Sequence, residues 1–321
     1  MRNANTYPVL NSECSITAAE RAILHTIAYF QVFNYPLTAR ELFTYSNIPL
    51  VKFHAFKNAL DGLISESLIC ESSGYYFPEG KFYSIAERKD KTERADKYWP
   101  AAARFSRLIS RIPFVRGIAI SGSLSKGQMA MDADIDYFII TEPGRLWLCR
   151  AMLVLYKKLF LFNSRKYFCI NYIIDADNLE IPDRNQFTAT EIAFLVPIYN
   201  KELLTKFTHA NEWAKTYYPH VCQKYRGIQN SESSLKRMGE RLLKGDMGNR
   251  LEKLSYSIFR GYWKRKFAHF SAGEFELGLR SRPNVSKHHP NGFQTKVLNA
   301  YEVLSAQLIS LYEGKKEKIG R

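Results

Sequence analysis

The sequence predicts an α+β protein, in which a small mixed sheet with flanking helices lies between a compact N-terminal domain and a helical C-terminal region. Short apolar runs at 117–120 and 137–140 are bounded by glycine and acidic turns, as is typical of strands. Residues 201–312 instead show mainly helical spacing of apolar residues. Because 321 residues exceed what one small core holds, we expect three domains, at 1–87, 88–186 and 187–321.

The first domain is predicted to contain three helices followed by a hairpin. Thr17–Glu20 and Thr38–Glu41 are capping boxes that open the first two helices, and Pro49 opens the third. Residues 68–77 then predict a hairpin that turns at Ser73-Gly74. This order of elements resembles a winged helix-turn-helix.

Winged helices often bind DNA through the third helix, but this domain has few cations there. The helix offers Lys52 and Lys57 against Asp61 and Glu66, and residues 1–85 carry a net charge of −1. Duplex DNA binding is therefore possible but disfavoured. We favour a role as a protein-interaction domain or a substrate lid.

The most informative stretch joins a Gly-Ser turn to a pair of acids. A predicted helix at 86–112 leads to the apolar run 117–120, which ends at Gly122-Ser123. Asp134-Ile135-Asp136 then opens the apolar run 137–140. Acids spaced i, i+2 on a strand share a face. Because two neighbouring carboxylates repel each other, they need a cation. Mg²⁺ suits them because it binds carboxylate and phosphate oxygens together. A Gly-Ser turn allows close approach of the backbone to a phosphate.

This combination resembles the nucleotidyltransferase superfamily that includes DNA polymerase beta, the CCA-adding enzymes and the aminoglycoside nucleotidyltransferases. Its pattern is an apolar strand, Gly-[Gly/Ser], about a dozen residues, then Asp-x-[Asp/Glu] opening a second strand. Residues 118–123 and 134–140 match both parts, and 122–127 match the variant Gly-Ser-x-[Ala/Ser]-[Arg/Lys]-Gly. The resemblance covers about residues 100–200 and implies a nucleotidyltransferase fold.

The resemblance also implies a third carboxylate on a strand after the next helix. The matching strand, 166–175, has Asn171 in its middle and Asp175 at its end, and period-2 alternation places both on one face. We favour Asp175 as the third metal ligand and base. If Asn171 holds that position instead, the third acid is missing.

The rest of the chain is predicted to be mainly helical, with one basic loop. Thr188–Glu191 is a third capping box, opening a helix at 192–198. The loop at 280–292 could close over a triphosphate, although a solvated loop is the favoured interpretation of its two histidines. Its basic residues are Arg280, Arg282, Lys287, His288 and His289, and the helices are expected at 146–162, 201–217, 234–243, 249–270 and 294–312.

Charge and cysteine content limit the class of protein. The net charge is +15, and residues 201–321 carry +12 of it, which would attract an anionic nucleotide or a polyanionic acceptor. Five scattered cysteines argue against a disulfide framework and a zinc site. The N-terminus lacks a signal-peptide core, and the run 146–162 is too short and too charged to span a bilayer. A cytoplasmic protein without a membrane partner is expected.

The resemblance implies transfer of a nucleoside monophosphate from a nucleoside triphosphate (NTP) to a hydroxyl of an unidentified small molecule, RNA or protein. Mg²⁺ or Mn²⁺ would be the cofactor, held by Asp134 and Asp136, with Asp175 as second-metal ligand and base. A catalytically weak or inactive nucleotide sensor that binds DNA or a protein through its winged-helix-like domain is the alternative. The expected nucleotide-binding residues are Gly122, Ser123, Ser125 and Lys126.

Overall fold

The computed structural model describes residues 16–48, 53–80, 85–164, 166–228, 233–289 and 292–319. It is an α+β protein of two compact units. One unit contains residues 1–83 together with 300–321, and the other contains 84–299. This division differs from the three predicted domains, because the sheet and most C-terminal helices form one unit and the end of the chain joins the N-terminal unit.

The N-terminal unit has the predicted helices and hairpin. Both capping boxes form, with the hydroxyls of Thr17 and Thr38 each accepting from the third helical N–H. The hairpin turns at Ser73-Gly74, where both residues have positive φ. The predicted start of the third helix at Pro49 lies outside the described residues, as does Lys52. The elements are α1 (Ala18–Gln31), β1 (Leu37–Thr38), α2 (Ala39–Tyr45), α3 (Phe53–Ser65), β2 (Ile69–Ser72) and β3 (Tyr75–Pro78), with sheet order β1-β3-β2.

The last helix of the chain completes this unit. The buried Tyr312 donates a hydrogen bond to Glu20 at 3.1 Å, and the hydroxyl of Ser305 lies 2.7 Å from Nδ1 of His25. Contacts between residues almost three hundred positions apart are therefore part of the core of the N-terminal unit.

The larger unit is built on a six-stranded mixed sheet of order β7-β4-β5-β6-β9-β8. β5 is antiparallel to β4 and parallel to β6. No helix among the described residues is long and apolar enough to cross a membrane. Its elements are α4 (Ile85–Ser110), β4 (Val115–Ser121), α5 (Gly122–Ser125), β5 (Asp136–Thr141), α6 (Leu146–Phe160), β6 (Cys169–Asp175), α7 (Gln186–Ala193), β7 (Val196–Tyr199), α8 (Lys201–Ala210), α9 (Ser234–Leu243), α10 (Asp246–Lys266), α11 (Ala272–Leu279), β8 (Ser281–Arg282) and β9 (Val285–Lys287). The last helix, α12 (Phe293–Ile319), begins in this unit, and its residues from 300 onwards belong to the N-terminal unit.

The predicted helix at 192–198 is wrong. α7 begins earlier, where the side chain of Asn185 accepts a hydrogen bond from the Thr188 N–H, so Thr188 is inside the helix and does not cap it. Residues 196–199 form β7, which pairs with β4 at the edge of the sheet. An edge position tolerates Pro197, which has no N–H to donate.

The predicted solvated loop at 280–292 is also wrong over its described part. Residues 281–282 and 285–287 form β8 and β9, and β9 extends the main sheet beside β6. Arg280 and Lys287 are buried, and the N–H of His289 donates to the carbonyl of Gly278 at 2.7 Å. Residues 290 and 291 lie outside the described part of the chain.

The two faces of the sheet have different roles. One face packs its apolar side chains, including Tyr137, Ile139 and Ile173, into a core with α4 and α6. The opposite face carries Asp136 and Phe138 towards a cavity. The acidic motif therefore lies at the start of an internal strand, and Asp136 is on the face that does not contribute to the main core.

Candidate functional site

The Gly-Ser turn and the acidic motif are in direct contact. β4 ends at Ser121, and Gly122 turns the chain with φ +65°. A β-carbon at this position would overlap Oδ2 of Asp136 and lie 3.0 Å from its Cγ. Glycine is therefore required here both by its backbone angle and by the adjacent carboxylate.

Asp134 and Asp136 lie on the same side of the chain. Ile135 between them is fully buried, and its N–H and C=O pair with the backbone of Lys166 and Cys169 at 3.0 Å each. This extended pairing turns the two flanking carboxylates away from the core. Both residues are half-buried.

The carboxyl group of Asp136 has an unfavourable environment for its charge. Burial, then the negative charge of Glu191 and that of Asp134, raise the pKa of Asp136 to about 7. The amide of Asn171 donates a hydrogen bond to this carboxylate. A cation bound here would offset the repulsion that raises the pKa.

Asn171, rather than Asp175, lies beside Asp136. β6 runs parallel to β5, with Cys169 opposite Asp136 and Asp175 opposite Thr141. Asp175 is thus five residues further along the sheet, about 16 Å at 3.3 Å per residue. The prediction that Asp175 joins the metal site is wrong.

A bulge also changes the face on which these residues lie. The pairing of β5 with β6 shifts by one residue at Asn171, so Asn171 and Tyr172 both line the cavity. Ile173 then points into the core on the opposite face, and alternation places Asp175 on that face too. Asp175 is buried and accepts a hydrogen bond from Asn178 at 2.7 Å, while its burial raises its pKa.

Lys126 and Glu191 form an ion pair at the same site. Lys126 Nζ lies 2.8 Å from Glu191 Oε1 and donates to the Gly122 carbonyl at 3.2 Å. The serine hydroxyls of the turn are engaged locally, with Ser123 donating to the Met129 sulfur and Ser125 to the Gly122 carbonyl. The sequence had indicated Glu191 only as part of a capping box, and no motif marks it as a site residue.

A cavity of about 90 Å³ extends from these residues across the sheet, and its mouth is open to solvent. This volume alone is smaller than that of a typical small-molecule site. One side of its wall carries the polar residues Gly122, Asp136, Asn171 and Glu191. The apolar part of the wall is formed by Phe138, Ile181, Phe187, Ile192, Leu195 and Phe207.

Asp183, Lys287 and His289 also line the cavity. Asp183 pairs with Arg280 at 2.7 Å and with Lys287 at 3.3 Å. Burial lowers the pKa of Lys287. Burial, together with the positive charge of Lys287, lowers the pKa of His289 to about 4, so this imidazole is neutral at physiological pH.

Within the described residues, no group of three or more His, Cys, Asp and Glu side chains is placed to hold a metal ion. Asp134 and Asp136 alone match the one or two carboxylates with which proteins bind Mg²⁺ alongside substrate phosphates. Comparison with family models, curated proteins and solved structures finds no match for this chain.

Proposed function

We propose that this chain is a metal-dependent nucleotidyltransferase, which moves a nucleoside monophosphate from an NTP to a hydroxyl and releases pyrophosphate. The observation that carries the proposal is the contact between Gly122 and the carboxylate of Asp136. Phosphates bound over this turn would lie beside Asp134 and Asp136. The resemblance of residues 118–140 to the nucleotidyltransferase superfamily supports the same assignment.

The donor set fits one Mg²⁺ ion shared with the triphosphate. Asp134 and Asp136 would hold it, and the elevated pKa of Asp136 indicates a place where added positive charge is favourable. When bound, the ion supplies neutralisation of the phosphate charge. A second ion held by three carboxylates does not fit, because Asn171 takes the place beside Asp136.

The remaining residues of the site would orient the reactants. The Gly122–Ser123 backbone would admit the phosphates, and Lys126, which contacts the Gly122 carbonyl, would neutralise the leaving pyrophosphate. The apolar wall excludes water from around the bound substrate. Catalysis would therefore come mainly from positioning and fixed charges.

A nucleotide sensor without turnover is the second candidate function, and Asn171 is the observation that favours it. An amide neither binds a second metal ion strongly nor accepts a proton from a hydroxyl. In that case the N-terminal unit would pass the nucleotide-bound state to DNA or a protein partner. Nucleotide binding without product formation would separate this candidate from the enzyme.

The test is a screen of α-labelled NTPs with Mg²⁺ or Mn²⁺, with cell extract as the source of acceptors. We expect Asp134→Ala and Asp136→Ala each to reduce metal-dependent turnover by more than about 100-fold. Asp132→Ala, which removes an exposed acid from the same segment, should leave turnover unchanged. Equal turnover in the wild type and both variants would contradict the assignment.

A further inference from the structure

The position beside Asp136 lacks a group that can accept a proton. Asn171 occupies it and donates its amide to the Asp136 carboxylate. Asp136 itself would be engaged in metal binding. Transfer to a hydroxyl still requires that its proton leave, so a base must come from elsewhere in the cavity.

Besides Asp136, the carboxylates of Asp183 and Glu191 line the cavity. Asp183 is held between Arg280 and Lys287, whereas the charge of Glu191 acts on Asp136. α7 carries it into the lining of the same cavity as Gly122, Asp136 and Asn171. Its side chain is 34% exposed, so a substrate hydroxyl can reach it. The cap at Asn185 fixes where α7 begins and hence the face on which Glu191 lies.

Lys126 connects Glu191 to the phosphate turn. Its ammonium group contacts both Glu191 Oε1 and the Gly122 carbonyl. A triphosphate bound over Gly122 carries more negative charge than one carboxylate and approaches the same ammonium group. Bound NTP would therefore compete with Glu191 for Lys126.

We propose that Glu191 is the general base of the transfer reaction and that Lys126 holds it in a resting ion pair until the triphosphate binds. This inference rests on the proposed function. Glu191 takes the proton of the acceptor hydroxyl as its oxygen forms a bond to the α-phosphorus. The bond from the α-phosphorus to the bridging oxygen breaks, and pyrophosphate leaves with that electron pair, beside Lys126.

The experiment measures single-turnover formation of labelled AMP from α-labelled ATP with Mg²⁺, with water as the acceptor, alongside the affinity for MgATP. Glu191→Gln should slow the reaction by about 10²- to 10⁴-fold. Its affinity for MgATP should be equal or higher, because Lys126 no longer has a competing carboxylate. A purely structural role would reduce rate and affinity together, and that result would overturn the inference.

A second variant supplies a carboxylate from the neighbouring strand. Asn171→Asp in the Glu191→Gln background should raise the rate at least about tenfold above that of Glu191→Gln alone. Glu212→Gln, which removes a carboxylate from an exposed lysine pair, is the matched control and should leave rate and affinity unchanged. A Glu191→Gln rate within twofold of the wild type, or no recovery with Asn171→Asp, contradicts the role of Glu191.

The same assay distinguishes the two proposals. If the wild type forms no product carrying the α label with Mg²⁺, either with water or with cell extract as the source of acceptors, nucleotidyl transfer is excluded and Glu191 has no such reaction to catalyse. If the wild type turns over and Asp136→Asn is inactive while Glu191→Gln is not, only the assignment of Glu191 fails.

Discussion

At the scale of single residues, Gly122 and Asp136 depend on each other. The turn can approach the carboxylate closely because Gly122 has no side chain and tolerates φ +65°. This contact joins the part of the site that would hold phosphate to the part that would hold a metal ion. A side chain at position 122 would displace the carboxylate.

We predict that Gly122→Ala reduces MgATP binding and turnover at least about tenfold, because the added methyl overlaps Asp136. Gly127→Ala is the control, since Gly127 has nearly the same φ, +67°, and open space around a β-carbon. Both variants strain the backbone, but only the first displaces the carboxylate. Titration calorimetry with MgATP compares them, and equal losses would contradict the contact argument.

The elevated pKa of Asp136 predicts that the metal-free protein becomes less stable as pH rises. Its pKa is about 7 in the folded protein, against an ordinary value of 3.8 for an aspartic acid. The folded state therefore binds more protons than the unfolded state between these values, and stability is lost as pH rises towards 8. A shift of this size corresponds to at most about 4 kcal/mol.

Asp136→Asn should therefore stabilise the metal-free protein at pH 8 by about 1–4 kcal/mol, and by little at pH 4. Urea unfolding with a chelator present measures this, with the exposed Asp132→Asn as the control. A variant less stable than the wild type at pH 8 would show that Asp136 is not under electrostatic strain.

At the scale of elements, α7 determines whether Glu191 reaches the cavity. Asn185→Ala removes the N-cap and should cost about 1 kcal/mol. Because the cap lies in the element that carries Glu191, turnover should fall as well. Ser271→Ala removes a comparable cap from α11, so it should cost similar stability with unchanged turnover. Equal turnover in both variants would contradict the role of α7.

The sequence predicted the strands around the acidic motif. It did not predict the strand pairing that decides which residue takes the place of the third carboxylate. Apolar runs bounded by turns indicate β4, β5 and β6, and capping boxes indicate α1 and α2. The bulge at Asn171 depends on pairing between strands, which period-2 alternation within one strand does not reveal. For the same reason, Asp175 was predicted to share a face with Asn171, whereas the bulge places the two residues on opposite faces.

Short segments near residue 190 show a second limit of prediction from the sequence. Residues 196–199 are a four-residue apolar run, whose length and composition fit a strand or part of a helix equally well. The Thr-x-x-Glu pattern at 188–191 favoured a helix start, but Asn185 caps the helix three residues earlier. Glu191 was therefore assigned to a cap although its side chain lies in the cavity.

At the scale of the whole molecule, the chain divides by long-range contacts that no local pattern predicts. Residues 300–321 belong to the N-terminal unit through contacts such as Tyr312 with Glu20. The larger unit, residues 84–299, contains the complete candidate site within the described residues. The proposed chemistry is therefore a property of that unit.

The central claim, cleavage between the α- and β-phosphates of an NTP, is tested most directly by comparing ATP labelled at the α- and at the γ-phosphate. With Mg²⁺ and cell extract, we predict that the α label appears in an acceptor or in AMP and the γ label in pyrophosphate, with neither product formed by Asp136→Asn. Release of the γ label as inorganic phosphate, or products that persist in Asp136→Asn, would contradict the account.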